Sequence, residues 1–215
     1  MQEFRTGSVQ GFLHLPSMHP KAGLVLTHGA GGNCGSPLLV LIAEAFAQAG
    51  FGVLRYDLPF RQRKRFGPPF GTAAEDRRGL SDAARELRSS AGLRRLYFGG
   101  HSYGGRQASI LAVEEPGICD GLLLLSYPLH PPKRPQDLRT DHFRDLQTRT
   151  IFVHGTEDPF GSVEELKSAA ELIPGVTLIE EVRGAGHDLG KGKLELGARI
   201  IASFVRMFDS APGVS

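Results

Sequence analysis

The chain has 215 residues, of which 40% are hydrophobic and 22% charged, and its net charge is +2. This length suits a single domain, residues 1–215, with a sizeable core, and the composition is that of an ordinary globular protein. The nearly balanced charge lacks the concentrated basic footprint of nucleic-acid-binding proteins, so no nucleic-acid partner is expected.

The cellular compartment is predicted from features that the sequence lacks. The first residues, MQEFRTGSVQGFLHLP, show no basic segment followed by an apolar one, so no signal peptide is predicted. The longest apolar runs, such as Leu122–Leu125, are too short to cross a bilayer, so no membrane partner is expected. Cys34 and Cys119 form no CxxC pattern, which indicates neither a disulfide framework nor a zinc site. We therefore expect a cytoplasmic protein with two reduced thiols.

Strand-like and helix-like segments alternate along the chain after a short β-hairpin. Compact apolar runs bounded by turn residues predict the strands, and apolar residues at helical spacing predict the helices. In chain order the predicted elements are a hairpin within Phe4–Leu15, strand Gly23–Thr27, helix Pro37–Gly50, strand Val53–Tyr56, a helix capped by Thr72 and Glu75 and continuing through Leu87, strand Leu96–Phe98, helix Arg106–Glu114, strands Gly121–Ser126 and Thr150–Val153, a helix from Ser162 to about Ile173, strand Val176–Val182 and helix Leu194–Phe208.

This alternation predicts an α/β fold. We expect a three-layer sandwich, with a mostly parallel central sheet, helices on both faces and right-handed crossovers between strands. The basic stretch Arg61–Gly71 is rich in Pro and Gly and is interpreted as a solvated loop. Its alternative role is to hold an anionic substrate group near the strand ends. In open α/β sheets ligands bind at the carboxyl ends of strands, so the residues that follow the strands are the candidates for chemistry.

A serine on a sharp strand-to-helix turn is the first such candidate. Gly100-His101-Ser102-Tyr103-Gly104 matches G-x-S-x-G, and it follows one predicted strand and opens a helix. This is the context that a nucleophile elbow requires. The tight turn strains the serine backbone, and the glycines remove Cβ atoms that would collide. The alternative is a Gly-rich turn with an incidental serine, but the context favours Ser102 as a nucleophile.

A hydroxyl is a poor nucleophile at neutral pH, so Ser102 needs a base. His187 follows the last predicted strand in Arg183-Gly184-Ala185-Gly186-His187-Asp188, a flexible loop of small residues, and is the predicted base. Asp158 follows the penultimate strand and is predicted to orient the imidazole. Glu157 is the competing acid, but Asp158 is preferred because Pro159 restrains its backbone and its side chain is shorter. The chain order of the predicted catalytic residues is then Ser, Asp, His.

Two backbone N–H groups are predicted to hold the developing oxyanion. Tyr103 stands at the start of its helix, where N–H groups are free. The second donor is expected in His28-Gly29-Ala30-Gly31-Gly32, whose small residues allow the backbone to approach a substrate oxygen. Ala30 is preferred as this donor, and Gly31 is the next choice. A phosphate-binding glycine loop is the alternative, but neither G-x-G-x-x-G nor GxxxxGK[ST] is present.

The other polar residues near strand ends receive structural interpretations. His101 is expected to point away from Ser102 across the turn and to pack against its neighbours. In the remaining set, His28 and His154 are expected to brace loops, Asp57 to be structural, and His130 to line the mouth of the site.

The chain resembles the α/β-hydrolase superfamily in His28–Gly29, in the turn at Ser102, and in Gly155–Asp158 and Gly186–His187. More narrowly, it is similar to small, lid-poor predicted hydrolases related to the dienelactone hydrolases, and the similarity covers nearly the whole chain. Dienelactone hydrolases proper use a cysteine where Ser102 stands, so their substrate is not carried over. Some animal relatives of the narrower group are subunits of chromatin complexes. The motifs that carry the resemblance are Leu26–Gly32, Gly99–Arg106, Tyr127–Pro132, Gly155–Asp158 and Gly186–His187.

The resemblance implies an α/β-hydrolase fold with little or no lid. Ser126–Thr150, where many relatives insert a helical lid, is short and Pro-rich here. We therefore expect an open site for small soluble substrates. The predicted function is hydrolysis of a small carboxylic ester or thioester through an acyl-enzyme on Ser102, with no cofactor and no metal. The alternatives are an acyltransferase, a serine peptidase or a non-catalytic interaction module, and the oligomeric state stays open.

Overall fold

The structure is a computed structural model that describes residues 1–190 and 193–208. In this part of the chain the strands are β1 (Gln2–Thr6), β2 (Val9–His14), β3 (Ala22–Thr27), β4 (Phe51–Tyr56), β5 (Leu96–His101), β6 (Gly121–Leu125), β7 (Thr150–Gly155) and β8 (Thr177–Val182). The helices are α1 (Pro37–Gln48), α2 (Pro59–Arg63), α3 (Ala73–Ala91), α4 (Tyr103–Glu114), α5 (Val163–Ala170) and α6 (Lys193–Phe208).

The strands form one sheet with the order β1-β2-β4-β3-β5-β6-β7-β8. β1 and β2 are an antiparallel hairpin, and β2 is antiparallel to β4. All pairs from β4 across to β8 are parallel. The carboxyl ends of these parallel strands therefore lie along one edge of the sheet, and the loops that carry the candidate residues leave from that edge.

Each face of the sheet has its own hydrophobic core, so the predicted three-layer α/β sandwich is confirmed. Every residue of β3, β4, β6 and β7 is buried, as expected for strands that are covered on both faces. The core on one face uses α1 and α6, through residues such as Leu39, Ile42, Phe46, Ile200 and Phe204. The core on the other face uses α3, α4 and α5, through residues such as Leu80, Leu87, Ala108, Leu111 and Leu166.

Ser162 and Glu165, like Thr72 and Glu75, have the spacing of a capping box, and the two boxes form to different extents. The Ser162 hydroxyl accepts the Glu165 N–H at 3.1 Å, and the Glu165 carboxylate accepts the Ser162 N–H at 2.7 Å, which completes the box. Thr72 accepts the Glu75 N–H at 3.3 Å, but the Glu75 carboxylate binds Arg63 at 2.7 Å instead of returning to the cap. The box at Thr72 is therefore only half formed, because the Arg63 guanidinium competes for the Glu75 carboxylate.

Some element boundaries differ from the prediction. The predicted loop from Arg61 begins as the short helix α2, with Pro59 at its first turn, where proline is well tolerated. Helix α4 begins at Tyr103 rather than Arg106, because it starts directly after the turn at Ser102. Helix α5 ends at Ala170, three residues before the predicted end.

The connection between β6 and β7 forms no lid. It contains a single turn of 3₁₀ helix, Phe143–Asp145, and this agrees with the lid-poor fold predicted from the sequence. Both cysteines are buried and free, and burial raises the pKa of each thiol to about 12. Within residues 1–190 and 193–208, no helix combines the length and apolar character that crossing a bilayer requires.

His142 predicts a measurable pH dependence of stability. Burial, aided by the charge of Arg106, lowers its pKa from 6.5 to about 4, and its Nε2 lies 2.8 Å from the Ser109 hydroxyl. Between pH 6.5 and 4 the unfolded chain holds a proton on this ring that the native protein does not. Stability therefore falls as the pH falls through this window, and the contribution is present in full above it.

We expect His142→Gln to reduce the loss of stability that occurs as the pH falls. The fall in the free energy of unfolding from pH 7 to pH 4.5 should be smaller in the variant by about 1–2 kcal/mol, after allowance for partial exposure. Urea titrations of both proteins at the two pH values measure it. An identical fall in both would contradict the assignment.

Candidate active site

The turn that holds Ser102 joins β5 directly to α4. Its φ of 50° and ψ of −115° are unusual for a residue with a side chain, and they turn the chain sharply into the helix. A Cβ on Gly104 would lie 2.2 Å from the Thr27 hydroxyl oxygen, and a Cβ on Gly100 would lie 2.4 Å from the Gly105 nitrogen. Both positions therefore require glycine, as the predicted elbow demands.

The structure brings Ser102, His187 and Asp158 into one hydrogen-bonded chain. The Ser102 hydroxyl lies 2.8 Å from His187 Nε2, and His187 Nδ1 lies 2.9 Å from Asp158 Oδ2. With Nδ1 donating to the carboxylate, Nε2 is the acceptor that a serine nucleophile needs. Residues 85 and 29 positions apart in sequence thus meet at one edge of the sheet.

The carboxylate that is hydrogen-bonded to His187 belongs to Asp158 and not to Glu157. The Asp158 side chain is fully buried, whereas Glu157 is exposed. Asp158 Oδ1 also accepts the N–H of Phe160 at 2.9 Å, which fixes the carboxylate orientation within its own loop. His154 Nε2 binds the Gly161 carbonyl at 2.7 Å and closes the base of this loop, as predicted for a bracing histidine.

The aromatic ring of Phe160 packs beside His187, a feature that the sequence interpretation missed. The Phe160 ring lies 4.2 Å from the His187 ring, at an interplanar angle of 31°. Ser102 is only 9% exposed, and His187 Nε2 lies within hydrogen-bonding distance of its hydroxyl. The sequence did contain a signal, since Phe160 follows Asp158-Pro159 in the same strand-end loop.

His101 has a different role from the predicted one. Its Nε2 donates to the carbonyl oxygen of His187 at 2.8 Å, and the two rings have centroids 5.1 Å apart. Burial lowers the pKa of His101, which keeps the ring neutral and able to donate at Nε2 while Nδ1 stays unprotonated. The side chain therefore crosses from the turn at Ser102 to the loop of His187 and positions that loop.

The loop after β3 lies directly against Ser102. A Cβ built on Gly29 would be 3.4 Å from the Ser102 Cβ, so Ala30 follows at the rim of the same site. Tyr103 is the first residue of α4, and its N–H is among the donors that a helix start leaves free. The Tyr103 hydroxyl donates to Asp76 at 2.7 Å, and Asp76 also accepts the Phe60 N–H at 3.1 Å. Burial raises the pKa of Asp76.

Arg61 corrects the interpretation of the basic run as a solvated loop. Its side chain is 4% exposed, and its guanidinium donates to the Ala30 carbonyl at 2.7 Å and to the Gly67 carbonyl at 2.9 Å. Among the residues of the basic run, helix α2 turns only Arg61 inward, whereas Arg63, Lys64 and Arg65 are exposed. Arg61 therefore ties the loop that carries Ala30 to the segment after β4.

The remaining polar residues are mostly structural. His28 Nδ1 donates to the Gly29 carbonyl at 2.8 Å and its Nε2 accepts the Leu58 N–H at 3.2 Å, so His28 braces the loop as predicted. Asp57 accepts the Cys34 N–H at 2.7 Å, a structural role. His130 is buried and bonds the Pro131 carbonyl at 2.8 Å, so it does not line the site mouth. In the part of the chain that the structure describes, no cluster of side chains is suited to hold a metal ion.

Comparison with known proteins identifies the family. Residues 20–200 match the family described as an alpha/beta hydrolase domain. Est1E from Butyrivibrio proteoclasticus is 15% identical with a TM-score of 0.78, over 97% of this chain and 99% of that one. Dienelactone hydrolase from Anabaena variabilis is 20% identical with a TM-score of 0.77, over 96% and 98%.

A third solved structure lacks a lid, as this chain does. It is an α/β serine hydrolase without lid from Xanthomonas campestris, 14% identical with a TM-score of 0.70, over 95% of this chain and 91% of that one. Likeness at such identities concerns the fold alone, whereas the family match covers most of the sequence. The chain therefore belongs to the α/β-hydrolase domain family, as its sequence motifs indicated.

Proposed function

We propose that the protein is a serine hydrolase that cleaves small carboxylic esters or thioesters through an acyl-enzyme. The observation that carries the proposal is the continuous hydrogen-bonded chain from Asp158 through His187 to Ser102. Proton transfer along such a chain is what a serine hydroxyl needs to become a nucleophile. The strained backbone at Ser102 supports the same role, because strain of this kind clusters at functional sites.

The reaction follows from the positions of these groups. Ser102 Oγ attacks the carbonyl carbon while His187 Nε2 takes the hydroxyl proton, and Asp158 stabilises the resulting imidazolium. The N–H groups of Tyr103 and Ala30 hold the oxyanion of the tetrahedral intermediate. When the intermediate collapses, the bond to the alcohol or thiol breaks and His187 returns the proton to that leaving group. Water, deprotonated by the same imidazole, then releases the acid and restores the Ser102 hydroxyl.

The open approach to the site favours small substrates. The connection after β6 adds no covering domain, so this side of the site supplies little binding energy far from the reacting carbonyl. One structural neighbour is a serine hydrolase without a lid and another is a dienelactone hydrolase, which supports ester-like chemistry as a class. The free, buried cysteines agree with the cytoplasmic location that we also propose.

A substrate panel tests the proposal. The purified protein should hydrolyse p-nitrophenyl acetate and a matched acetyl thioester, and should cleave the corresponding anilide much more slowly. Anilide cleavage at a comparable rate would instead indicate a peptidase, and ester exchange into an added alcohol at the expense of free acid would indicate an acyltransferase. No turnover of any member would favour a non-catalytic interaction module.

Arg61 provides a prediction about the oxyanion loop. Arg61→Met keeps the aliphatic stem but removes the donor to the Ala30 carbonyl, so the Ala30 N–H should lose its fixed position. We expect kcat for p-nitrophenyl acetate to fall by about 10-fold to 100-fold, with a smaller change in KM, because an oxyanion donor acts mainly in the transition state.

The matched control for Arg61 comes from the same basic run. Arg65 is exposed and stacks on Phe66, so Arg65→Met should leave kcat within about twofold of the original value. Equal losses in both variants would show that general positive charge, and not the bond to Ala30, is responsible. An unchanged kcat in Arg61→Met would contradict the positioning role.

A further inference from the structure

A cavity of about 720 Å³ lies beside the candidate active site. Its wall includes Gly31 and Gly32, which follow the proposed oxyanion donor, and Asp188–Gly190, which follow His187. His101 also lines it, and this is the ring whose centroid lies 5.1 Å from that of His187. The volume falls within the range of about 300–1,000 Å³ that small-molecule sites occupy. The cavity therefore lies beside the loops that carry the candidate reacting groups and is large enough for part of a substrate.

Helix α1 contributes an apolar wall that the core covers only in part. Leu39, Ile42 and Phe46 of this helix are buried in the core. Leu38 and Leu41 pack against that core but are only half-buried, and both line the cavity. Two leucines one turn apart therefore leave apolar surface facing the cavity, which suits contact with an apolar ligand.

The turn at Leu189 forms another part of the cavity lining and has an unusual backbone. The φ of Leu189 is 51°, a left-handed conformation that a bulky residue rarely adopts, and its side chain is buried in the core. Its N–H donates to the Gly186 carbonyl at 3.1 Å, so the residues on either side of His187 form one turn. The turn that places the imidazole beside Ser102 therefore also forms part of the cavity wall and is anchored to the core by Leu189.

We propose that this cavity binds a neutral, medium-length hydrocarbon chain of the substrate, an inference that rests on the proposed hydrolase function. The acidic residues among its described lining are Glu44 and Asp188, and their negative charge disfavours an anionic tail. From Leu38 to Glu44 the cavity follows α1 for about 9 Å, which accommodates a chain of several carbons. The chain belongs either to the acyl group or to the alcohol, and two substrate series distinguish them.

The first experiment fills the cavity and measures chain-length preference. Leu41→Trp is compared with the original protein and with Val176→Trp, a control at an exposed position before the amino end of β8. One series is p-nitrophenyl acetate, butyrate and hexanoate, and the other is ethyl, butyl and hexyl acetate. In one series Leu41→Trp should lower kcat/KM for the six-carbon member, relative to the two-carbon member, by at least about tenfold.

The shortest esters serve as the internal control. Their turnover should stay within about twofold in Leu41→Trp, because they do not reach the cavity, and Val176→Trp should leave all ratios unchanged. The series that responds identifies which half of the ester occupies the cavity. Unchanged ratios in both series, in a variant whose circular dichroism shows the native fold, would overturn the proposal.

A second measurement is independent of turnover. In a titration with n-octanol followed by methyl NMR, the Leu38 methyl signals should shift saturably, and Leu41→Trp should abolish this. No saturable shift in the original protein would overturn the cavity proposal, even if short esters are hydrolysed. Binding of octanol without turnover of any ester would support the cavity as a binding site and contradict the hydrolase function instead.

Discussion

Ser102→Ala should reduce hydrolysis of p-nitrophenyl acetate by at least about 10⁴-fold in kcat. Its hydroxyl lies 2.8 Å from His187 Nε2 and is the atom that forms the acyl-enzyme in the proposed reaction. Removing it leaves the oxyanion donors and the substrate pocket in place, so only the residual rate that these groups supply should remain. The loss should appear in kcat and kcat/KM together.

The fold should survive this substitution. Serine and alanine both have a Cβ, so the substitution adds no backbone strain at φ 50°. The side chain that is replaced is also small. Circular dichroism and the midpoint of thermal unfolding should therefore match those of the original protein within a few degrees. Retention of the original rate by a pure, folded Ser102→Ala preparation would contradict the assignment of the nucleophile.

Asp158→Asn should lower kcat by about 10³-fold to 10⁴-fold. The Asp158 carboxylate accepts from His187 Nδ1, which holds the imidazole in the tautomer that leaves Nε2 free for the Ser102 proton. An amide at this position can donate to Nδ1 and so stabilise the opposite tautomer, in which Nε2 carries the hydrogen. The amide also removes the negative charge that stabilises the imidazolium.

The neighbouring residue gives the matched control. Glu157→Gln makes the same change from carboxylate to amide one position earlier, on an exposed side chain. Its kcat should stay within about twofold, measured with the same ester and at several pH values. A large loss in Glu157→Gln together with a small one in Asp158→Asn would reverse the choice of acid.

Much of the site could be predicted because its residues follow strands. A parallel sheet aligns the carboxyl ends of its strands, so Ser102, Asp158 and His187 were expected at one edge before any distance was known. Asp158 was chosen over Glu157 from its shorter side chain and the proline beside it, and the structure buries Asp158 and exposes Glu157. The strand ends and the residue types in the turns that follow them were therefore sufficient to predict the positions of Ser102, Asp158 and His187.

Arg61 and His101 could not be predicted in this way. Arg61 belongs to a run of basic residues that looks uniformly solvated, and only the short helix α2 turns its side chain toward the Ala30 carbonyl. The direction of the His101 ring depends on the position of the His187 loop, 86 residues away in sequence. Both roles arise from contacts across the fold, which no local pattern encodes.

The cavity beside the site could not be predicted either, because it also arises from contacts across the fold. The apolar residues of α1 predict a helix packed on the sheet, but they do not show which leucines the core covers only in part. The left-handed backbone of Leu189 has no signature in the sequence, because leucine is ordinarily disfavoured in that conformation. Substrate contacts are therefore visible only once the loops after β3 and β8 are seen side by side.

The most direct test is to locate the covalent bond. The protein should gain the mass of one phosphonyl group on incubation with a fluorophosphonate, and peptide mapping should place that group on Ser102. Labelling should be lost in Ser102→Ala and strongly slowed in Asp158→Asn. An unlabelled native protein, or a label on a different residue, would show that the hydroxyl beside His187 is not an activated nucleophile.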